Sequence, residues 1–235
     1  MLETLDLFKE ALLQCFKGIP LTIELTVLSV ALGFCIAVFL AVLLQGQNRL
    51  IKRCINGFTF FFTGTPLLVQ LYIFYYGIPE WNVIGKLMHT PQFAFLKEGF
   101  IWVLIALTLN TAAYSTVIFA GFIRNMDKGE LEAAKAYGMS YKQAMRRIIV
   151  PSALRKALPA YSNEVIMTMH ATALASVVTL LEVTGQANIF NQTYYEPFIA
   201  YGAAAVIYFV LNGIMIMGFK QLEKKYLKHL RVRRA

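Results

Sequence analysis

Glu164 and the polar side chains that follow it in the sequence could together bind a small cation. It lies within an apolar segment, and Thr168 and Thr172 follow it on the same helical face. A carboxylate accepts a guanidinium group through two parallel hydrogen bonds, and neighbouring hydroxyls can add to them. An ionised side chain at the centre of a membrane helix costs about 2.5–3.5 kcal/mol on insertion scales, so such residues usually serve a function. We therefore predict that these three residues contact a cationic ligand; a structural hydrogen bond from Glu164 is the alternative.

Further polar residues are secondary candidates for the same site. Asn163 and His170 form a second polar stripe on another face of the segment, which could meet either the ligand or a neighbouring helix. Glu24, near the start of an earlier apolar segment, could attract a cation or simply reach the membrane interface. An anionic group on the same ligand would need hydrogen-bond donors, for which we consider Asn110, Thr111 and the backbone at Gly64 and Thr65.

Five long apolar segments must position these side chains. Of the 235 residues, 58% are hydrophobic and only 15% are charged, whereas a soluble domain has about 25% charged residues. A hydrocarbon core about 30 Å thick takes roughly 20 helical residues to cross. The segments long enough are about residues 20–45, 56–78, 100–124, 157–181 and 198–219. Since lipid offers no partner to backbone amides, we predict an all-α polytopic membrane protein with a single transmembrane domain over residues 1–235.

The basic residues predict how the chain is oriented. Of its 22 Lys and Arg residues, 18 fall in three stretches, residues 45–54, 124–156 and 220–234. The positive-inside rule places these stretches in the cytoplasm, with the N-terminus outside and the C-terminus inside. That arrangement needs an odd number of spans, which five satisfies. The net charge of +9 then reflects topology and contact with membrane lipid, and we expect no nucleic-acid partner.

Residues 125–156, between the third and fourth segments, contain the helix-start and helix-end signals of an ordered hairpin. Asp127 and Ser140 each precede an acid or amide by three residues, the spacing of a capping box that begins a helix. Gly138 is the residue type that most easily adopts the left-handed conformation at a helix end. Pro151 lacks an amide hydrogen and is expected to mark a helix end or bend. The pattern predicts two short helices separated by a glycine.

This hairpin resembles the EAA loop of ABC-transporter permeases, whose pattern is E-A-A, three residues, Gly, nine residues and I-x-L-P. Val150 stands where the family usually has Leu. The positions that fall on the pattern are Glu132, Ala133, Ala134, Gly138, Ile148 and Pro151.

The resemblance extends over nearly the whole chain. Residues 62–70 resemble the G-T-P-x-x-x-Q start of the second span in polar amino acid permeases, and residues 109–114 and 161–165 resemble their third and fourth spans. The likeness is greatest to the histidine and arginine branch. Many relatives have Arg before G-T-P, whereas this chain has Thr63, as the arginine branch does.

The resemblance implies an ABC type I permease fold with a coupling helix at about residues 128–138 in the cytoplasmic loop. It implies a location in the bacterial inner membrane and three kinds of partner: a dimer of ATPase subunits, a second permease chain, identical or related, and an extracytoplasmic amino-acid-binding protein. The chain lacks the G-x-x-x-x-G-K-[ST] phosphate loop, so ATP and Mg²⁺ would bind to the partner subunits. We expect no enzymatic activity, cofactor or metal site on this chain.

Import of a basic amino acid by alternating access is the expected function, with arginine first and histidine or lysine next. A stand-alone proton-coupled transporter, or an intramembrane enzyme, could instead use Glu164 and His170 together. Residues six apart point about 120° from each other on an ideal helix, which makes one shared site awkward. An ABC permease for a neutral or acidic amino acid is the remaining alternative.

Overall fold

The computed structural model describes residues 2–88 and 90–228. Within these ranges the chain consists of helices and short turns, with no β-strand. The α-helices are α1 Leu2–Phe16, α2 Ile19–Leu43, α3 Arg49–Gly64, α4 Leu67–Tyr72, α5 Asn82–Met88, α6 Gly99–Arg124, α7 Lys128–Ala136, α8 Tyr141–Ala144, α9 Val150–Ala171, α10 Val183–Tyr194 and α11 Pro197–Tyr226. π-Helical turns at Ile73–Gly77 and Met145–Ile149 extend α4 and α8, and 3₁₀ segments occupy Pro91–Lys97 and Thr172–Val178.

Among the described residues, the helical stretches long and apolar enough to cross a membrane alone number three: Glu3–Leu43, Gly99–Arg124 and Pro197–Tyr226. Two further candidates are bent. Helix α3 meets α4 and its π-helical turn at 105°, and the run Tyr141–Val178 meets α10 at 44°. Counting each bent pair as one span gives five, in agreement with the predicted number. The segments predicted over 56–78 and 157–181 therefore belong to bent elements rather than to straight rods.

Helix α6 is the central element of the bundle and is buried along most of its length. It packs chiefly against α2 and α9. Gly33 permits the close approach of α2, because a Cβ atom there would lie 2.4 Å from Thr111 Cγ2 and 3.3 Å from the Ala112 nitrogen. Towards one end, the rings of Phe34, Phe119 and Tyr161 fill the space between these three helices. Small and aromatic side chains together hold α9 in a fixed position beside α6.

The basic stretches gather at one end of the bundle, which we call the basic end. Leu44, after α2, shares an apolar cluster with Ile123 of α6 and Met145 before α9. Leu227, after α11, lines the same pocket as Glu130 of α7. The stretch 220–234 continues beyond this point, but residues 229–235, including Arg231, Arg233 and Arg234, lie outside the described residues. This clustering agrees with an arrangement in which the basic residues lie on one side of the membrane.

The hairpin at the basic end contains the two helices that the sequence indicated. Helix α7 ends at Ala136, and Gly138 has a φ of +72°. Ser140 caps α8 through a complete capping box with Gln143. The capping box predicted at Asp127 is wrong: its side chain makes no capping hydrogen bond and turns instead towards Lys156.

Pro151 does not end or sharply bend a helix, in contrast to the prediction. It lies in the first turn of α9, directly after the π-helical turn Met145–Ile149. Proline removes one backbone donor, and a wider turn is one way in which a helix accommodates that loss. The chain therefore runs without a break from α8 through α9, which joins the hairpin mechanically to a membrane helix.

Candidate functional site

An open cavity of about 860 Å³ lies between the α3–α4 bend, α6 and α9. Six of its polar lining residues are ones predicted from the sequence as site residues: Thr65, Asn110, Asn163, Glu164, Thr168 and His170. They come from positions up to about a hundred residues apart along the chain. The remaining wall is formed largely by apolar side chains such as Leu107, Met167 and Leu174.

Glu164 is the one carboxylate among the described residues that line this cavity, and no Lys or Arg side chain lines it. The residue is half-buried and forms no ion pair within the described part of the chain. The hydroxyls of Thr111 and Thr168 approach its carboxylate, and Thr168 Oγ1 donates a hydrogen bond to the Glu164 carbonyl at 3.0 Å. A polar cavity with a single uncompensated negative charge suits a ligand that carries a positive charge.

Thr172 does not line the cavity, although the sequence placed it on the same face as Glu164. It is fully buried, and its hydroxyl donates to the Met169 carbonyl at 2.6 Å. Residues eight apart on an α-helix point about 80° away from each other, whereas residues seven apart point in nearly the same direction. Ala171, seven residues after Glu164, accordingly lines the cavity, and Thr172 does not.

The second polar stripe on α9 faces the same cavity as the first. Asn163 and His170 line it together with Glu164 and Thr168. The two stripes therefore do not form separate sites, because the cavity is wide enough for side chains of both to line it. Glu24 lies outside the cavity lining, on an exposed part of α2.

Gln70 is the site residue to which the sequence analysis gave no role. Its side chain is 1% exposed. The Nε2 group donates to the Phe62 carbonyl at 2.9 Å, the Thr65 carbonyl at 3.0 Å and Thr65 Oγ1 at 2.8 Å. These bonds satisfy carbonyl groups left free at the end of α3, where Pro66 interrupts the helix. A glutamine four residues after Pro66, in the G-T-P-x-x-x-Q pattern, was the available signal.

Asn110 offers the cavity an acceptor rather than the predicted donor. Its Nδ2 group donates to Gln70 Oε1 at 3.0 Å and to the Phe62 carbonyl at 3.2 Å. Both amide hydrogens are thus engaged, and the side-chain oxygen remains to accept hydrogen bonds. In this conformation Asn110 has no free amide hydrogen for the predicted donation to a carboxylate, and its side-chain oxygen is an acceptor that suits a cationic ligand.

The EAA residues divide between the surface and the interior of the hairpin. Glu132 and Ala133 are exposed on α7, whereas Ala134 is 1% exposed and packs inwards. Tyr137, at the end of the helix, is 85% exposed. Two further residues of the pattern lie away from this surface: Ile148 and Pro151 are half-buried in the run that leads into α9.

A family model described as "Binding-protein-dependent transport system inner membrane component" matches residues 33–228. This chain belongs to that family. It is 44% identical over 216 residues to the histidine/lysine/arginine/ornithine transport system permease protein HisM of Escherichia coli strain K12, covering 92% of this chain and 90% of HisM. It is 39% identical over 221 residues to the arginine ABC transporter permease protein ArtM of Haemophilus influenzae, covering 94% and 96%.

A solved structure supports the same assignment. The crystal structure of an amino acid ABC transporter with histidines contains a chain with a TM-score of 0.77 and 31% identity, covering 90% of this chain and 94% of that one. The protein is thus a permease subunit of an ABC transport system and has the ABC type I permease fold. An intramembrane enzyme and a stand-alone proton-coupled transporter do not fit this family, although Glu164 and His170 of the permease line one cavity.

Proposed function

We propose that this permease imports a basic amino acid across the bacterial inner membrane, with arginine as the first substrate and histidine and lysine next. The chain would form one half of the translocation pathway, and a partner ATPase would supply the energy for alternating access. The observation that carries the proposal is the cavity in which Glu164 is the single charged side chain, apart from the titratable His170, among the described residues of its wall.

The other groups in the cavity support a cationic ligand. The Asn110 side-chain oxygen is free to accept a hydrogen bond, because the amide hydrogens bond to Phe62 and Gln70. A guanidinium group presents several donors in one plane and matches a carboxylate with neighbouring oxygen acceptors. The names of HisM and ArtM, which specify histidine, lysine, arginine and ornithine, agree with this substrate class.

The exposed face of α7 is proposed as the coupling surface. Glu132 and Ala133 present one acid beside a small side chain, so a partner can approach the helix backbone closely, and Gly138 ends the helix. We infer that a dimer of ATPase subunits, where ATP and Mg²⁺ bind, docks on this face. We propose that the basic end is cytoplasmic and the N-terminus external, from the positive-inside rule. The other proposed partners are a second permease chain, related or identical, and an extracytoplasmic amino-acid-binding protein.

The test compares arginine with citrulline, which has nearly the same shape but a neutral urea group in place of the guanidinium. Each ligand is titrated by calorimetry into the detergent-purified complex of permease chains and ATPase, without the binding protein, so that only the membrane site selects. We expect arginine to bind at least about tenfold more tightly, since a charge-assisted contact exceeds a neutral one by about 1.4 kcal/mol. In liposomes that contain the binding protein, ATP should drive arginine uptake.

Equal binding of arginine and citrulline would contradict selection by charge in this cavity. Preference for glutamine or glutamate would favour the neutral or acidic alternative. Arginine uptake that follows a pH gradient and does not require ATP would contradict coupling to an ATPase.

A further inference from the structure

A polar contact fastens α7 to α9 at the basic end. Glu130 Oε1, in the first turn of α7, accepts hydrogen bonds from Lys156 Nζ at 3.0 Å and from Ser152 Oγ at 3.4 Å. Asp127 Oδ2, at the start of the helix, lies 3.5 Å from the same Lys156 nitrogen. Ser152 and Lys156 are four residues apart on α9, so both donors project from one side of that helix. We call Glu130, Ser152 and Lys156 the α7 clamp.

The clamp is partly sheltered from solvent. The side chains of Lys156 and Glu130 are 25% and 30% exposed, and they line a pocket of about 360 Å³. The hydrogen bond that Lys156 donates to the Glu130 carboxylate is the main cause that raises the pKa of Lys156 above its usual value. In the described part of the chain, the ion pairs of Lys156 are the only ones that join separate helical elements. Such a contact fixes geometry better than an exposed surface pair does.

The clamp and the substrate cavity lie on nearly the same face of α9. Asn163 follows Lys156 by seven residues, which corresponds to almost two full turns and a rise of about 10 Å. Asn163 and Glu164 line the cavity, whereas Lys156 and Ser152 line the pocket beside α7. Helix α9 is continuous from Val150 to Ala171, with Pro159 between the clamp and the cavity. The helix is not interrupted at this proline, so a displacement of its base reaches the cavity through a single helical element.

Apolar contacts hold α7 in place independently of the clamp. Leu131 packs against the cluster that contains Met145, Ile149 and Ala153, and Ala134 is buried. Loss of the clamp should therefore leave α7 folded and near α9 while removing the polar bonds that set its direction.

We propose that the α7 clamp makes the coupling helix and the cavity-lining helix α9 move as one body, with Lys156 as the positioning residue. This inference rests on the proposed function, because it assumes that α7 receives a motion from the ATPase. Without the clamp, a displacement of α7 shifts this helix relative to α9, so that α9 and the cavity move less.

The test uses the complete complex in liposomes and measures amino acid imported per ATP hydrolysed. Lys156→Met should lower this ratio by about fivefold, equivalent to about 1 kcal/mol of lost coupling. Arg155→Met is the matched control, because it removes the same charge one position away. Arg155 lines the same pocket, but its Nε bonds to the Pro151 carbonyl of its own helix and it forms no ion pair with the described residues. The double variant Glu130→Lys with Lys156→Glu should restore most of the ratio.

Hydrogen–deuterium exchange of the same complexes reports the contact independently of transport. The amides of α7 should exchange faster in Lys156→Met than in the wild type or Arg155→Met. An unchanged exchange rate would overturn the contact whatever the complex transports. Faster exchange with an unchanged import ratio, or an equal loss of the ratio in Arg155→Met, would overturn the positioning role. A wild-type complex that hydrolyses ATP but imports no basic amino acid would refute the proposed substrate, while exchange would still test the clamp.

Discussion

Replacing Glu164 by Gln should remove the charge selectivity of the cavity while preserving its shape. Glutamine has the size of glutamate and retains one side-chain oxygen as an acceptor. The half-buried carboxylate has no ion-pair partner in the described structure, so its charge is available to the ligand. Hydrogen bonds to charged groups contribute about 1.5–3 kcal/mol and neutral ones about 0.5–1.5 kcal/mol. The expected loss for arginine is therefore about 1.5 kcal/mol, or slightly more than tenfold in Kd.

The effect on citrulline distinguishes lost charge from a damaged site. Citrulline lacks the positive charge, so its Kd should stay within about twofold. Arginine and citrulline are titrated into detergent-purified wild-type complex, Glu164→Gln and the control Glu80→Gln. Glu80 is an exposed carboxylate outside the cavity. Co-purification of the ATPase with each variant shows whether the complex has assembled.

Wild-type arginine affinity in Glu164→Gln would refute the assignment of Glu164. An equal loss for arginine and citrulline would also refute it, because such a loss reflects a change in shape or packing rather than the removal of an electrostatic attraction. Equal losses in Glu80→Gln would indicate an effect of overall charge.

Two further perturbations test the bend and the coupling surface. Gln70→Leu should destabilise the complex by about 2 kcal/mol, because it removes the side-chain donor of the Thr65 carbonyl, one of the two side-chain donors of the Phe62 carbonyl and the acceptor of Asn110; an unchanged thermal unfolding midpoint would show that the bend does not depend on these bonds. Glu132→Lys, which reverses an exposed charge on α7, should weaken association with the ATPase by about tenfold, within the range measured for charged contacts at interfaces, as checked by co-purification at increasing salt. Glu80→Lys makes the same charge change at an exposed carboxylate outside α7 and controls for net charge. Equal retention of the ATPase by wild type and Glu132→Lys would argue against this docking face.

The helical class and the number of apolar segments were predictable because both depend on local sequence. A run of about 20 apolar residues has few alternatives to a membrane helix. The glycine at the end of α7 and the capping box at Ser140 were predictable for the same reason, since each involves residues only a few positions apart. Asp127 shows the limit of such signals: Lys156, 29 residues away, attracts its side chain out of the capping position.

The cavity was only partly predictable. Glu164 and Thr168 follow from helical spacing, but Thr172, eight residues after Glu164, is buried and does not line the cavity. Gln70 satisfies carbonyl groups within eight residues of itself, but its oxygen also accepts a hydrogen bond from Asn110, forty positions further along the chain. No short window of sequence contains both residues, so their relation could not be derived from spacing.

The sequence by itself determined that this chain is a helical membrane protein with a basic hairpin and an acidic residue inside an apolar segment. Composition, periodicity and short motifs contain this information because the membrane and the backbone impose the same local rules on every chain. The tertiary structure decided which polar side chains share the cavity, that Asn110 presents an oxygen to it, and that Lys156 joins α7 to α9. Those features depend on the packing of segments distant in sequence, where the bend at Pro66 and the helix types around α9 set the direction of each side chain.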